Sequence, residues 1–280
     1  MKPNYLQYTF EDTPEFISTF DEMPLWSASF GLLLLKHLEL RPNLVVVDIG
    51  SGAGFPLLEL AQRLGASSKC YGIDPWVNAN NRAKQKIRNY GVSNAEIIES
   101  SAGQLPFDNA SVDLIVSNLG INNFDNPPKV FKECSRVLKP KGRLALTTNL
   151  NGHRQEFYAI FEETLAELGK TELMAGLKSE QEHRGTIESI SRLYSNNGFT
   201  VRRYFEEQFE MKFVDGSAFL NHSFVKLGWL GAWKSLVPEL EQVTVFRQLE
   251  GNLNVYVEKM GGLTLTVPMA YMEGTNGNIS

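Results

Sequence analysis

Residues Val45–Pro56 read VVVDIGSGAGFP, a β-branched run that leads into a glycine-rich turn and a proline. The β-branched run predicts a buried strand, and the apolar pattern at Leu57–Leu64 predicts a helix directly after the turn. Glycines in such a turn let the backbone approach a ligand closely, and a helix N-terminus presents free amides to it. Either a ligand-binding loop or a tight turn without a ligand fits this pattern.

Further along the chain, short β-branched runs alternate with longer segments whose apolar residues recur every three or four positions. This alternation is typical of a parallel sheet with crossover helices. We predict strands at Leu44–Asp48, Lys69–Asp74, Ala95–Glu99, Val112–Ser117 and Gly142–Thr148. We predict helices at Leu57–Leu64, Val77–Tyr90 and Lys129–Leu138, and two more near His153–Leu168 and Arg184–Asn197.

The remaining parts of the chain are rich in aromatic residues. Two strand patterns, Phe199–Val214 and Leu263–Met272, flank a helical insertion at residues 215–262. We expect one domain over residues 1–280, with an N-terminal cap at 1–43, a ligand-binding core at 44–150 and the remaining helices and strands at 151–280. The insertion and the N-terminal cap are expected to cover the ligand site.

The composition narrows the class of protein. The 280 residues are 42% hydrophobic and 21% charged, which excludes disordered and low-complexity classes. A net charge of -5 disfavours a nucleic-acid partner. Cys70 and Cys134 lie in apolar stretches without metal-site spacing, which indicates free thiols in a reducing compartment. We find no signal-peptide or membrane-spanning pattern and expect a soluble, cytoplasmic protein.

The sequence of the glycine loop distinguishes between the known loop motifs that bind nucleotide-type ligands. The dinucleotide fingerprint would need a third glycine where this chain has Phe55. A P-loop would need a Gly-Lys-Ser/Thr sequence, which does not follow. The remaining pattern, G-x-G-x-G preceded by Asp48, resembles motif I of the class I S-adenosylmethionine-dependent methyltransferases.

Two further segments are similar to that family. Ser100–Phe107 with Asn109–Ser117 resembles the family segment that borders the adenine, except that Ser101 stands where the family commonly has Asp. Glu133–Arg143 resembles the family connection E-x-x-R-V-L-K-P-G-G. The resemblance implies a Rossmann-like α/β fold, with a seven-stranded, mostly parallel sheet whose last strand is antiparallel.

The resemblance also implies which residues bind S-adenosylmethionine, whose demethylated product is S-adenosylhomocysteine. Asp48 would lie near the cofactor's ammonium, Asp74 would accept both ribose hydroxyls and Trp76 would lie beside the adenine. The full expected set is Asp48, Gly50, Ser51, Gly52, Gly54, Asp74, Pro75, Trp76, Ser101, Ala102, Gln104, Asn118 and Leu119.

The methyl acceptor is less clearly marked. Ser117–Phe124 resembles the corresponding segment of small-molecule methyltransferases, including quinone-biosynthesis C-methyltransferases. Asn126-Pro127-Pro128 is interpreted as a helix start, with Asn126 as the cap. The glycine loop is also similar to that of a ribosomal-RNA guanine methyltransferase family, and this alternative stays open. A non-catalytic cofactor-binding partner protein is the other alternative.

Methyl transfer to a nucleophilic atom depends mainly on positioning, so a dedicated base is not required. If a base is present, His222 is the first candidate, because a neutral imidazole can accept a proton. No cluster has metal-ligand spacing, so we expect no metal. Expected acceptor-pocket residues are Tyr8, Trp26, Asn122, Asn123 and Trp229. The predicted activity is S-adenosylmethionine-dependent methyl transfer to a small molecule.

Overall fold

A computed structural model describes residues 2–22, 25–182 and 184–277, with the backbone alone for Leu25. Within these ranges the chain forms two compact units. The sheet unit comprises residues 12–149, 186–207 and those from 269 onward. The helical unit comprises residues up to 11, 150–185 and 208–268. That the two units act as a single domain stays a prediction.

Seven strands form one sheet in the order β3-β2-β1-β4-β5-β7-β6. Their bounds are β1 Val45–Ile49, β2 Lys69–Asp74, β3 Ala95–Glu99, β4 Val112–Asn118, β5 Leu138–Asn149, β6 Phe199–Phe213 and β7 Leu263–Asn276. The pairs β1–β2, β1–β4, β2–β3 and β4–β5 are parallel, and β5–β7 is antiparallel. The predicted Rossmann-like sheet with its antiparallel last strand is therefore confirmed.

Two helices precede β1, and helices connect most of the later strands, as a parallel sheet requires. In the first part of the chain they are α1 Pro14–Asp21, α2 Leu25–His37, α3 Leu57–Leu64, α4 Val77–Tyr90 and α5 Pro127–Val137. After β5 they are α6 Gln155–Glu167, α7 Met174–Gln181, α8 Ile187–Asn196, α9 Gly216–Asn221, α10 Ser223–Gly228, α11 Leu230–Leu236 and α12 Glu239–Met260.

Local sequence signals account for where these helices begin and end. The Asn126 side chain accepts a hydrogen bond from the Lys129 amide at 3.0 Å, and Pro127 occupies the first turn of α5. The interpretation of Asn126 as a helix cap is confirmed. At the other end of a helix, α4 stops at Gly91, whose left-handed backbone has a φ of 64°.

The predicted insertion between the last two strands is helical, since α9 to α12 lie between β6 and β7. In the helical unit α12 packs on α6 and α9. Phe157, Phe161, Phe219, Trp233 and Phe246 are fully buried there. Many of the aromatic residues in this part of the sequence therefore form the hydrophobic core of the helical unit. That this insertion covers the ligand site stays a prediction.

Tyr194 of α8 packs against β7 at Gly274, a position where only glycine leaves room for the tyrosine ring. Its hydroxyl donates to the carbonyls of Leu144 at 3.3 Å and Met272 at 3.1 Å. A Cβ on Gly274 would lie 2.5 Å from Tyr194 Cδ1. The ring therefore closes over the backbone of the last strand.

We predict that Gly274→Ala lowers the free energy of unfolding by about 1–3 kcal/mol, because the new methyl group overpacks a buried ring. Gly251→Ala is the matched control, since Gly251 lies in α12 and, among the described residues, no atom outside its own stretch of helix lies within 4 Å of the place its new methyl group would take. It should raise stability by roughly 0.5–1 kcal/mol, the helix-propensity gain. Urea unfolding measures both, and equal effects of the two variants would contradict this packing.

Candidate active site

A cavity of about 490 Å³ lies at the carboxyl ends of the parallel strands. Gly50 follows β1, Asp74 ends β2, Ser101 follows β3 and Asn118 ends β4. In open α/β sheets this edge is where ligands bind. The lining residues are Gly50, Ile73, Asp74, Pro75, Trp76, Ser101, Ala102, Gly103, Asn118, Leu119, Gly120, Asn123, Phe124, Asp125, Asn126, Lys129 and Val130.

The structure brings most of the expected cofactor residues together at this cavity. Those that line it are Gly50, Asp74, Pro75, Trp76, Ser101, Ala102, Asn118 and Leu119. The other expected cofactor residues, which are not in its lining, are Asp48, Ser51, Gly52, Gly54 and Gln104. Asn123, expected in the acceptor pocket, lines the same cavity.

The loops after β1 and β4 meet at two glycines. Gly50 has a φ of 77°, and a Cβ there would lie 3.2 Å from Gly120 Cα. A Cβ on Gly120 would lie 2.4 Å from Ser117 Oγ and 2.9 Å from the Ile49 carbonyl oxygen. Only glycine fits at Gly120, and the left-handed backbone also favours glycine at Gly50. This contact brings the ends of two neighbouring strands together.

Asp74 ties the glycine loop to the end of β2. Its Oδ2 accepts a hydrogen bond from the Gly52 amide at 2.8 Å, and its Oδ1 accepts one from the Trp76 amide at 2.8 Å. A carboxylate has about four acceptor positions, so two stay available for a ligand. Asp74 is therefore oriented by backbone amides before any ligand binds.

Asp48 differs sharply from Asp74, although both follow buried strand residues. It is fully buried, and its two carboxylate oxygens have no hydrogen-bond partner among the described residues. Burial and the nearby charge of Asp74 raise the pKa of Asp48 to about 8. The Leu57 amide opposes this shift without reaching ordinary hydrogen-bond geometry. A buried carboxyl group without a donor is costly, which makes it a candidate ligand contact.

Strand β5 supports the end of β4. The side-chain oxygen Oδ1 of Asn118 accepts from Thr147 Oγ1 at 2.8 Å, and its side-chain nitrogen Nδ2 donates to the Ser27 carbonyl at 3.1 Å. Leu119 has a φ of 67°, and its amide donates to the Thr147 carbonyl at 2.9 Å. Positive φ is uncommon for leucine and marks a constrained position at the cavity wall.

Trp76 and Ser101 border the opposite part of the cavity. The indole N–H of Trp76 donates to Asp12 Oδ1 at 2.7 Å, and its ring lies 6.5 Å from the Phe20 ring. The Ser101 hydroxyl accepts from the Gly103 amide at 3.2 Å, an interaction within its own turn. Asp12 is a polar contact to this wall that the sequence patterns did not indicate.

The other expected residues are distributed over both units. Trp26 and Asn122 belong to the sheet unit, where Asn122 donates to Asn149 Oδ1 at 2.9 Å. Tyr8, His222 and Trp229 belong to the helical unit. His222 is half-buried between α9 and α10, its Nδ1 has no partner among the described residues, and burial lowers its pKa. Their roles stay predictions.

Comparison with known proteins identifies the family. A family model described as a methyltransferase domain matches residues 47–146. A demethylmenaquinone methyltransferase of Geobacillus stearothermophilus is 31% identical over 160 residues, which cover 56% of this chain and 67% of that protein. The chain belongs to the class I S-adenosylmethionine-dependent methyltransferases.

Two more comparisons agree with this methyltransferase assignment. A demethylmenaquinone methyltransferase of Lactococcus lactis is 28% identical over 69% of this chain and 79% of that protein. The crystal structure of a SAM-dependent methyltransferase from Aquifex aeolicus shares the fold, with a TM-score of 0.53 and 23% identity over 70% of this chain and 92% of that one. The predicted protein family and the predicted enzyme class are therefore confirmed.

The methyltransferase cavity also contains residues that the motifs did not indicate. Phe124, Asp125, Asn126, Lys129 and Val130 line it from the segment that begins α5. The Asn-Pro-Pro sequence indicated only a helix start there, and no periodicity shows that this start faces a cavity. Within the described residues no group of three His, Cys, Asp or Glu side chains is arranged to hold a metal ion.

We predict a pH-dependent contribution of Asp48 to stability. Because its folded pKa of about 8 exceeds the ordinary value of 3.8, the folded state binds the extra proton between these pH values. Stability should therefore fall as pH rises toward 8, by at most about 1.4 kcal/mol per pH unit. Asp48→Asn, which cannot ionise, should remove this slope in urea unfolding of the ligand-free protein.

The control is Asp108→Asn, an exposed aspartate whose substitution should leave the slope unchanged. Between about pH 5.5 and 7.5, the wild type should lose on the order of 2–3 kcal/mol more than Asp48→Asn. Identical pH slopes for the wild type and Asp48→Asn would contradict a buried neutral Asp48.

Proposed function

We propose that the cavity at the strand ends binds S-adenosylmethionine and that the chain transfers its methyl group to a small organic acceptor. The observation that carries this proposal is the pair of unequal carboxyl groups at the glycine loop. Asp74 lines the cavity with both oxygens oriented, while Asp48 is buried without a donor among the described residues. A ligand with an ammonium group and a ribose provides a partner for each.

The residues present fit this cofactor. An ammonium group near Asp48 would supply the counter-charge and the donors that its carboxylate lacks. The free acceptor positions of Asp74 suit two adjacent ribose hydroxyls. Trp76 and Ala102 line the part of the cavity where an adenine would lie. When bound, the cofactor supplies an electrophilic methyl group on a sulfonium.

The chain's own residues contribute mainly positioning. None of the described lining residues is a histidine, and the titratable groups among them are Asp74, Asp125 and Lys129. The lining therefore offers orientation and exclusion of water, which suit an in-line displacement at a nucleophilic atom. If the acceptor needs deprotonation, His222 stays our candidate base, since its depressed pKa keeps the imidazole neutral.

A small-molecule acceptor is favoured over RNA. The relatives compared above are named for demethylmenaquinone, a small molecule. Two groups of basic residues could form an RNA-binding surface, Arg82/Lys84/Lys86/Arg88 and Arg136/Lys139/Lys141/Arg143, and five of these eight side chains are engaged in ion pairs. These pairs are Arg82 and Lys86 with Asp21, Arg136 with Glu133, Lys139 with Asp113, and Arg143 with Glu39 and Glu273.

We also propose the cytoplasm as the compartment. Cys70 and Cys134 are both buried free thiols, and burial raises the pKa of each thiol. Buried, protonated thiols need no disulfide and suit a reducing compartment. No helix among the described residues has the length and hydropathy needed to cross a membrane.

Asp74→Ala should weaken binding of S-adenosylhomocysteine by about 2–5 kcal/mol, because it removes two charge-assisted acceptors and releases the Gly52 amide. Isothermal titration calorimetry measures this loss. Asp108→Ala, an exposed carboxylate outside the cavity lining, is the control and should bind as the wild type does. Unchanged affinity in Asp74→Ala would refute the assigned cofactor site.

Labelled methyl transfer tests the acceptor class. The protein is incubated with methyl-labelled S-adenosylmethionine and either a metabolite extract or total RNA, and the products are read by mass spectrometry. We expect label in the metabolite fraction alone. Label in RNA would favour the RNA enzyme, and tight cofactor binding without label in either fraction would favour a non-catalytic partner protein.

A further inference from the structure

The helical unit buries a cation that the proposed methyl transfer leaves unexplained. Arg154 precedes α6 and is only 1% exposed. Its guanidinium carbon lies 3.8 Å from the centroid of the Trp229 ring and 5.3 Å from that of Trp233. Aromatic faces stabilise a guanidinium but accept no ordinary hydrogen bond from its edge. The donors of Arg154 must therefore be satisfied in another way.

Most of those donors have no acceptor among the described residues. Arg154 Nη2 lies 3.3 Å from His153 Nε2 and 3.3 Å from the Tyr158 hydroxyl. Nε and Nη1 are buried without a partner in the described part of the chain. Burial lowers the pKa of Arg154 to about 10, which reflects the cost of a cation without a counter-charge. An acceptor from outside the chain would relieve that cost.

A second arginine shares the same surroundings. Arg184 is half-buried, and its Nε is also buried without a partner among the described residues. Burial lowers the pKa of both arginines, and the charges of Glu180 and Tyr158 oppose this shift in both, so the two guanidinium groups lie near the same side chains. Within the described ranges, neither arginine has a carboxylate oxygen within the 4.0 Å of an ion pair. The cluster thus has two cations and one nearby acid, Glu180, which leaves it short of negative charge.

The backbone at this point is also unusual. Arg154 has a φ of 57°, and its amide donates to the Thr266 carbonyl at 2.7 Å. Non-glycine residues in this region are strained, and such strain concentrates at binding sites.

We propose that Arg154 and Arg184 bind an oxyanion, a carboxylate or a phosphate, that a small-molecule ligand of the helical unit carries. The oxyanion would accept from the unpartnered guanidinium nitrogens, while Trp229 and Trp233 hold the Arg154 plane in place. Trp229, expected as a wall of the acceptor pocket, would then act by positioning this arginine.

Thermal unfolding of the full chain tests the proposal. The probes are sodium benzoate and sodium phosphate, each titrated against sodium chloride at equal ionic strength. The proteins are the wild type, Arg154→Gln, Arg184→Gln and the control Arg202→Gln, which replaces an exposed arginine of β6. S-adenosylhomocysteine is titrated in parallel as the ligand of the proposed cofactor site.

We expect benzoate or phosphate to stabilise the wild type and Arg202→Gln saturably, and the anion that does so identifies the chemistry. Apparent affinity should fall about tenfold or more in Arg154→Gln and Arg184→Gln, with S-adenosylhomocysteine binding unchanged. If Arg154→Gln does not fold, Arg184→Gln alone decides.

Two results would overturn the proposal. Neither anion stabilises the wild type beyond chloride, or one stabilises all four proteins equally. The response to S-adenosylhomocysteine separates this failure from failure of the proposed function. If S-adenosylhomocysteine stabilises the protein and neither anion does, only the oxyanion site is refuted. If S-adenosylhomocysteine does not stabilise the protein, the cofactor assignment is refuted.

Discussion

The hydrogen bond from the Gly52 amide to the Asp74 carboxylate is the constraint on which the site depends. It joins the loop after β1 to the end of β2, two strands that are already paired in parallel register. The contact between Gly50 and Gly120 joins the same loop to the segment after β4. Three strand ends are thereby held around one cavity. The glycines are required there because side chains would separate these ends.

That arrangement places two carboxyl groups in different environments. Asp74 lines the cavity and is oriented by two amides, while Asp48 is fully buried with no donor among the described residues. Burial, and after it the nearby charge of Asp74, raises the pKa of Asp48, so the buried group keeps its proton. A cationic ligand group reverses this preference. The helical unit shows the opposite case, since Arg154 is a buried cation whose Nε and Nη1 lack an acceptor in the described ranges.

The sequence predicted the sheet well because strand and helix periodicities in this chain are strong. Lys69–Asp74 and Val77–Tyr90 have the predicted bounds in the structure. β5 begins at Leu138 and not at Gly142, because pairing of Leu138 with Val112 extends a strand across Pro140. α7, Met174–Gln181, was not predicted, since few of its residues are apolar and only Leu177 is buried. The lining by Lys129 and the missing partners of Asp48 and Arg154 depend on packing between distant segments, which no local pattern encodes.

The proposed cofactor site requires Asp48 to be neutral in the free protein and ionised beside the cofactor's ammonium group. Calorimetric titration of S-adenosylhomocysteine near pH 7, in buffers of different ionisation enthalpy, measures the protons exchanged on binding. We expect release of close to one proton by the wild type, since a pKa of about 8 leaves Asp48 mostly protonated at that pH. We expect almost no release by Asp48→Asn. Binding by the wild type without proton release would contradict a neutral Asp48 that ionises when the ligand binds.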